Sequence, residues 1–285
     1  MLLAAFLISC NHKEAPAKMN TTKIIKQYYD ENAQLEWERI ENRPEFLIAC
    51  RFLDRYIKPG DRVLDIGGGP GRYALYLAKK GCDVTLLDLS DANVALAKAN
   101  AREKDLPLTA LQGDARKAHH IAGEEPFDHV LLMGPLYHLL KEEERVEAIE
   151  SALSCLKEGG KLYATFISLY AGMIFAMKFR PEIVLDPAEA GFQKLLIDNR
   201  EFAGKGFTQC HMAVQREVLP FMERFPLKKL HFLGQEGVMT LCEDNIMSQS
   251  PAVINWWLDL SEAVCERDEL LSWSEHLLYI GEKTK

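Results

Sequence analysis

At 285 residues, 48% of them hydrophobic, the chain is long enough to bury one full core and a cap over it. The net charge of −8 is spread without a basic block, so there is no electrostatic footprint for a phosphate backbone, and nucleic acid is disfavoured as substrate. Seven scattered cysteines (Cys10, Cys50, Cys82, Cys155, Cys210, Cys242, Cys265) form no C-x-x-C pair, which argues against a disulfide framework or metal centre and for reduced thiols in a cytoplasmic protein.

Residues 1–18 stand apart from the rest of the chain. Leu7-Ile8-Ser9-Cys10 has the form of a lipobox, which would anchor the chain through a lipid on Cys10. The apolar stretch is short, however, and no Lys or Arg precedes it. Met19 is a sensible start for a cytoplasmic protein, and an over-extended start is the favoured reading, with the lipid anchor kept as the alternative. No other segment approaches the ~18 apolar residues of a membrane span.

A helical cap is expected over 19–60. Asn20 or Thr21 is placed to cap a first helix carrying Ile24, Ile25, Tyr28, Tyr29 and Ala33, and a second is expected from about Leu35 to Tyr56, interrupted near Pro44. Lys58-Pro59-Gly60-Asp61 turns the chain into alternating strands and helices. Strands are predicted near 62–66, 83–88, 108–112, 127–133 and 160–167, with helices near 71–80, 91–104 and 141–156. That alternation predicts a doubly wound, Rossmann-like α/β core over 61–167. Ser168 to Gln215 is far too long for a simple crossover and is rich in Phe and Met around Gly204-Lys205-Gly206; it reads as a lid insertion. Residues 216–285 then close the core, with Leu227 to Leu233 and Leu277 to Ile280 as further strands. Trp256-Trp257 reads as back-side core and His119-His120 as surface.

The chemistry concentrates where the first strand ends, at Asp65-Ile66-Gly67-Gly68-Gly69-Pro70-Gly71. Glycines permit a sharp turn and close approach of a ligand to bare backbone, and the helix after them presents free N–H groups. Gly69-x-Gly71-x-x-Ala74 also satisfies the weaker dinucleotide spacing, so a nicotinamide oxidoreductase stays open on the glycines alone. Asp88, 21 residues beyond Gly67 at the end of the second strand, stands where a carboxylate reaches ribose hydroxyls.

With the blocks Val63–Ala74, Val84–Ser90, Leu111–Ala115, Phe127–Leu139 and Leu156–Leu162 in this order, the chain resembles the class I S-adenosylmethionine-dependent methyltransferases of small-molecule type over about residues 60–167. The resemblance implies a seven-stranded, mostly parallel sheet and S-adenosylmethionine as cofactor. It also implies that Gly67, Gly68, Gly69 and Gly71 line the methionine and ribose, that Asp65 orders the turn and holds the amino group, and that Asp88 binds the ribose. Leu89 would flank the adenine, Asp114 with Ala115 would meet the adenine edge, and Met133 would lie beside the methyl group. Tyr28 and Tyr29 either close over the cofactor or are ordinary helix packing.

The resemblance leaves the acceptor to be read at Met133-Gly134-Pro135-Leu136-Tyr137-His138, which lacks the N/D-P-P-Y motif of nucleic-acid amine methylases. That points to a small-molecule methyl acceptor, through N, O or S. Tyr137 and His138 are the candidates for contact with its nucleophile, with His138 either a general base or a partner of the loop backbone. His211 is a second base candidate or a solvated cap. A non-catalytic module that binds S-adenosylmethionine is a further alternative.

Overall fold

The computed structural model describes residues 20–285; the leader and Cys10 lie outside the described residues. Helix α1 (Thr21–Arg39) begins where Asn20 Oδ1 accepts the N–H of Thr22 at 3.1 Å. The break expected after Ala33 is present as a kink at Asn32 (φ −121°, ψ 16°), whose amide donates to the Tyr28 carbonyl at 2.7 Å; the second helical stretch then ends at Arg39 rather than running on to Tyr56. Pro44 opens α2 (Pro44–Tyr56) rather than interrupting a helix, because a first-turn N–H needs no partner.

The core then alternates β1 (Arg62–Ile66), α3 (Arg72–Lys79), β2 (Asp83–Asp88), α4 (Asp91–Glu103), β3 (Thr109–Gln112), α5 (Ala118–Ile121), β4 (Phe127–Leu132), α6 (Glu142–Cys155) and β5 (Leu156–Ser168). Beyond it come α7 (Ala171–Phe179), α8 (Ala190–Asp198), β6 (Phe202–Lys205), β7 (Gln209–Ala213), α9 (Gln215–Met222) and β8 (Leu227–Gly234). The chain ends with α10 (Glu243–Met247), α11 (Pro251–Val264), α12 (Asp268–Leu271) and β9 (His276–Lys283).

Strands β3, β2, β1, β4 and β5 pair in that order, all parallel; β9 then joins β5 antiparallel and β8 joins β9. This is the expected doubly wound, mostly parallel sheet of seven strands. Its parallel strands are near-continuous apolar runs because both faces are covered. On one face Ile48, Phe52 and Leu53 of α2 and Leu77 of α3 are buried, and on the other Ile149 and Leu153 of α6 and Met222 of α9.

Two further strands extend the sheet to nine. The hairpin β6–β7 falls inside the segment read as a lid, and β7 pairs parallel with β5 only at Ile167↔Met212 and Ser168↔Ala213. The last residue of β4 to pair with β5 does so at Leu132↔Ala164, and Ile167 also pairs with His276 of β9. The hairpin therefore takes the slot that β4 vacates, directly over the chain leaving β4. Trp256 departs from its core assignment: it is 60% exposed, while Trp257 alone is partly buried against the core. No helix among the described residues is long and apolar enough to cross a membrane.

Candidate active site

A cavity with about 1080 Å³ of empty space, counting its open mouth, lies at the carboxyl ends of β1, β2, β3 and β4. The polypeptide order reverses between β1 and β4, so this is the crevice where open α/β sheets bind ligands. Its floor is the turn after β1. Gly67 adopts φ +73° and donates its N–H to the Leu87 carbonyl at 2.6 Å. A Cβ there would stand 2.5 Å from Pro135 Cδ, because the turns after β1 and β4 touch backbone to backbone. Gly67, Gly68 and Gly69 line the cavity, whereas Gly71 does not. Gly71 instead caps α3 at φ +93°, and a Cβ would press on Ala97 Cβ of α4 at 3.3 Å. Its place in the motif reflects helix packing.

The predicted acids converge on this floor. Asp65 is 1% exposed, and its carboxylate accepts the Ala74 N–H, yet Oδ2 has no partner. Burial, and then repulsion from Asp88, push Asp65 up to about 7. Asp88 does more than the sequence suggested: Oδ2 accepts the Gly69 N–H at 2.8 Å, and Oδ1 accepts Ser90 N–H at 2.8 Å and Asn93 Nδ2 at 3.2 Å. It thus holds the glycine turn in shape as well as facing the cavity, and burial raises its pKa against these bonds. Leu89, Asp114, Ala115 and Met133 all line the same space. Asp114 forms a two-toothed pair with Arg116, whose Nε stands 3.0 Å from Oδ1 and whose Nη2 stands 2.5 Å from Oδ2; these bonds outweigh burial and lower its pKa.

Helix α1 forms the opposite wall, which the sequence reading largely missed. Thr22, Ile25, Tyr29, Glu36, Arg39 and Ile40 face the cavity at helical spacing. Of the two tyrosines offered for this wall, Tyr29 lines the cavity. Tyr28, one helical step away, is not among the lining residues and packs edge-on against Tyr29 and Phe207, with ring centroids 5.2 and 5.7 Å away. The helix is tied down along its length: Arg116 Nη2 donates to Thr22 Oγ1 (3.3 Å), Ser90 Oγ to Asp30 (2.6 Å), and Arg72 Nε to the Trp37 carbonyl (2.7 Å).

Tyr137 and His138 line the cavity from the short helical turn after β4. His138 is buried and bonded at both ring nitrogens, Nε2 to Tyr29 Oη at 2.6 Å and Nδ1 to the Gln209 carbonyl of β7 at 2.9 Å. Burial lowers its pKa to about 4. His211 is not brought to the cavity. Alternation along β7 turns Cys210 and Met212 toward Tyr137, so His211 faces away and meets Glu201 at 2.9 Å.

Behind α1 runs a buried chain of alternating charge. Arg39 reaches Glu36 through Nε (3.0 Å) and Glu45 through Nη1 (2.8 Å); His276 Nδ1 stands 3.8 Å from Glu45 and 2.6 Å from Glu236. Burial opposes a charge on His276, but Glu45 and Glu236 prevail and raise it to about 9. Among the described residues, four buried polar atoms that belong to the cavity lining have no partner: Asp65 Oδ2, Arg72 Nη2, Tyr73 Oη and Asn93 Oδ1. Orphaned groups so close together mark a site shaped for a polar ligand.

Residues 63–160 match a family model described as a methyltransferase domain. Glycine/sarcosine N-methyltransferase of Parasynechococcus marenigrum is 33% identical over 159 residues, 52% of this chain and 54% of that protein. The chain spans about half the length of the curated relatives it matches. Two solved structures share the fold. Burkholderia thailandensis 1,6-didemethyltoxoflavin-N1-methyltransferase aligns at TM-score 0.59 and 12% identity, covering 95% of this chain and 93% of that one. A TehB-like methyltransferase from Corynebacterium glutamicum aligns at TM-score 0.53 and 19% identity, over 90% and 100%.

Proposed function

We propose, since the chain belongs to the class I S-adenosylmethionine-dependent methyltransferase family, that it transfers a methyl group from S-adenosylmethionine to a small-molecule acceptor. The single observation that carries this reading is the set of orphaned buried atoms around the glycine turn. The cofactor supplies a sulfonium-activated methyl group, so the protein contributes alignment, exclusion of water and electrostatics. Asp65 Oδ2, left bare beside the glycine turn, receives the amino group. Arg72 Nη2 and Tyr73 Oη offer donors for a carboxylate. Asp88 Oδ2 keeps a lone pair for a ribose hydroxyl, and Leu89, Asp114 and Ala115 border the space left for adenine. Among the described residues none of 168–215 lines the cavity, and the hairpin reaches the site through the Gln209 carbonyl that holds His138.

Calorimetric titration with S-adenosylmethionine, S-adenosylhomocysteine and NAD(P)H tests the assignment. Micromolar affinity for the first two alone is expected, and preference for a nicotinamide cofactor overturns it. Transfer of labelled methyl to a metabolite extract then separates an enzyme from a non-catalytic binding module.

The Asp65 environment adds a pH signature. A protonated Asp65 offers no charge to an ammonium group, so S-adenosylhomocysteine affinity rises with pH up to about 7 and then levels. Below that point the loss approaches tenfold per pH unit, roughly 1.4 kcal/mol. Asp65→Asn binds more weakly throughout and flattens the profile. A flat profile in the native protein would show that Asp65 does not pair with the ligand.

A further inference from the structure

The geometry points to an amine as the methyl acceptor: the Tyr29 phenol oxygen, turned toward the cavity by His138, accepts an N–H bond from a neutral amine and aims its lone pair at the methyl group. This rests on the methyltransferase reading above and goes beyond it by naming the acceptor atom and the residue that meets it.

Gln209, in the strand inserted above β4, sets the positions of the protons. Its carbonyl can only accept a hydrogen bond, so the 2.9 Å contact requires the proton of His138 on Nδ1. Nε2 is then a lone pair, and the 2.6 Å contact with Tyr29 must be the phenol O–H donating to it. The only proton of the phenol is thereby committed to His138, while its oxygen, on a residue that lines the cavity, keeps acceptor capacity. Tyr137 behaves alike, its O–H directed at the Met133 carbonyl at 3.4 Å. Glu36, a third acceptor on this wall, is held by Arg39 at 3.0 Å. With the Arg39 guanidinium on the same wall engaged by Glu36 and Glu45, these oxygens are complementary to a ligand that donates N–H bonds.

The same bonds deny this wall a histidine base. The lone pair that would make His138 a general base is occupied by Tyr29, and burial holds the ring neutral. An alcohol must lose its proton to become a strong nucleophile, and a thiolate would be repelled by the Glu36 carboxylate, whereas an amine that enters as its unprotonated fraction, its proton left to water, attacks through a lone pair it already has. The nitrogen forms the N–C bond as the C–S bond breaks; the electron pair stays on the departing sulfur, and the proton shed by the resulting ammonium goes to water. Tyr29 oxygen and the Glu36 carboxylate stabilise the positive charge that grows on nitrogen.

The test uses the full chain, methyl-labelled S-adenosylmethionine, and primary amines, secondary amines, alcohols and thiols built on matched carbon skeletons. Methylation of amines only is expected. Tyr29→Phe then lowers kcat about 100-fold and leaves S-adenosylhomocysteine affinity within about twofold. His138 is a positioning residue. His138→Ala lowers kcat with little change in KM, and His138→Gln, whose amide oxygen can accept from Tyr29, restores part of it. Nitrogen-15 NMR of the cofactor-free protein should show His138 protonated at Nδ1 and bare at Nε2, with the Nε2 resonance shifting in Tyr29→Phe. The inverse tautomer, methylation of alcohols or thiols, or no methylation of any amine by protein that binds the cofactor overturns the amine assignment. Failure of S-adenosylmethionine and S-adenosylhomocysteine to bind at all would instead overturn the methyltransferase reading beneath it.

Discussion

Gly67→Ala is expected to weaken S-adenosylmethionine binding at least about 100-fold while the protein remains folded. Two costs add. The residue sits at φ +73°, where an L side chain is strained by about 1–2 kcal/mol. The new Cβ would also lie 2.5 Å from Pro135 Cδ, a ring atom that cannot rotate away. Relief requires the turns after β1 and β4 to part, and Gly134 blocks the simplest route, because its own Cα hydrogen side faces the Gly67 carbonyl (a Cβ would stand 2.8 Å from it). The floor of the cavity then shifts, taking with it the Gly69 N–H that Asp88 holds at 2.8 Å. Calorimetry with S-adenosylhomocysteine, beside a thermal melt, measures both effects. Gly60→Ala is the control: its φ is +90° but nothing lies within 4 Å of a Cβ, so it should lower stability and leave binding intact. Equal binding by Gly67→Ala and the native chain would mean the turn does not cradle the cofactor.

The second large effect is on stability against pH. His276 has its folded pKa raised to about 9 from a reference of about 6.5. A raised basic group stabilises the fold fully below the unfolded pKa, and that contribution disappears as pH climbs through the folded one. Between pH 6.5 and 9.5 the native chain should therefore lose about 3 kcal/mol, a fall in Tm of about 6–12 °C for a protein of this size. His276→Gln should be less stable at pH 6.5 and should lose the pH-dependent part, so the difference between the two melting curves isolates this residue from other groups that titrate in the range. Glu45→Gln, which leaves Arg39 and His276 facing each other with one carboxylate fewer, should cost about 3–5 kcal/mol at neutral pH. A Tm difference between native and His276→Gln that stays constant with pH would show that His276 is not charged in the fold.

The two effects lie on different levels of legibility. Gly67, Asp65 and Asp88 are readable because ligand approach, turn geometry and strand ends impose residue types at short, fixed spacings. The parallel strands are readable for a similar reason, since burial on both faces leaves unbroken apolar runs such as Val84-Thr85-Leu86-Leu87. The network around His276 has no such trace. Glu45 and His276 are 231 positions apart, and nothing local in Leu-Leu-Tyr-Ile announces that the histidine before it meets a carboxylate from α2.

Helix α1 and the β6–β7 hairpin mark the same boundary. Periodicity identifies α1 as a helix, yet it does not tell the cavity face from the flank, and Tyr28 and Tyr29 differ by a single helical step. The hairpin strands are four and five residues long, and β7 pairs with only two residues of β5, too little alternation to stand out within a stretch of Phe, Met and Gly. His211 has the residue type of a base, but a side chain's face on a short strand is set by the register of pairing.

The sequence by itself determined the doubly wound core, the glycine turn after β1 and the acids that flank it, because each of these is enforced by contacts among near neighbours in the chain. Only the tertiary structure decided the wall where we place the acceptor. There Tyr29 of α1, His138 after β4 and Gln209 of β7 meet from three distant segments, and the protons on their hydrogen bonds depend on that meeting. The acid at the end of β2 and the tyrosine on α1 face one cavity, but only the first could be found from spacing alone.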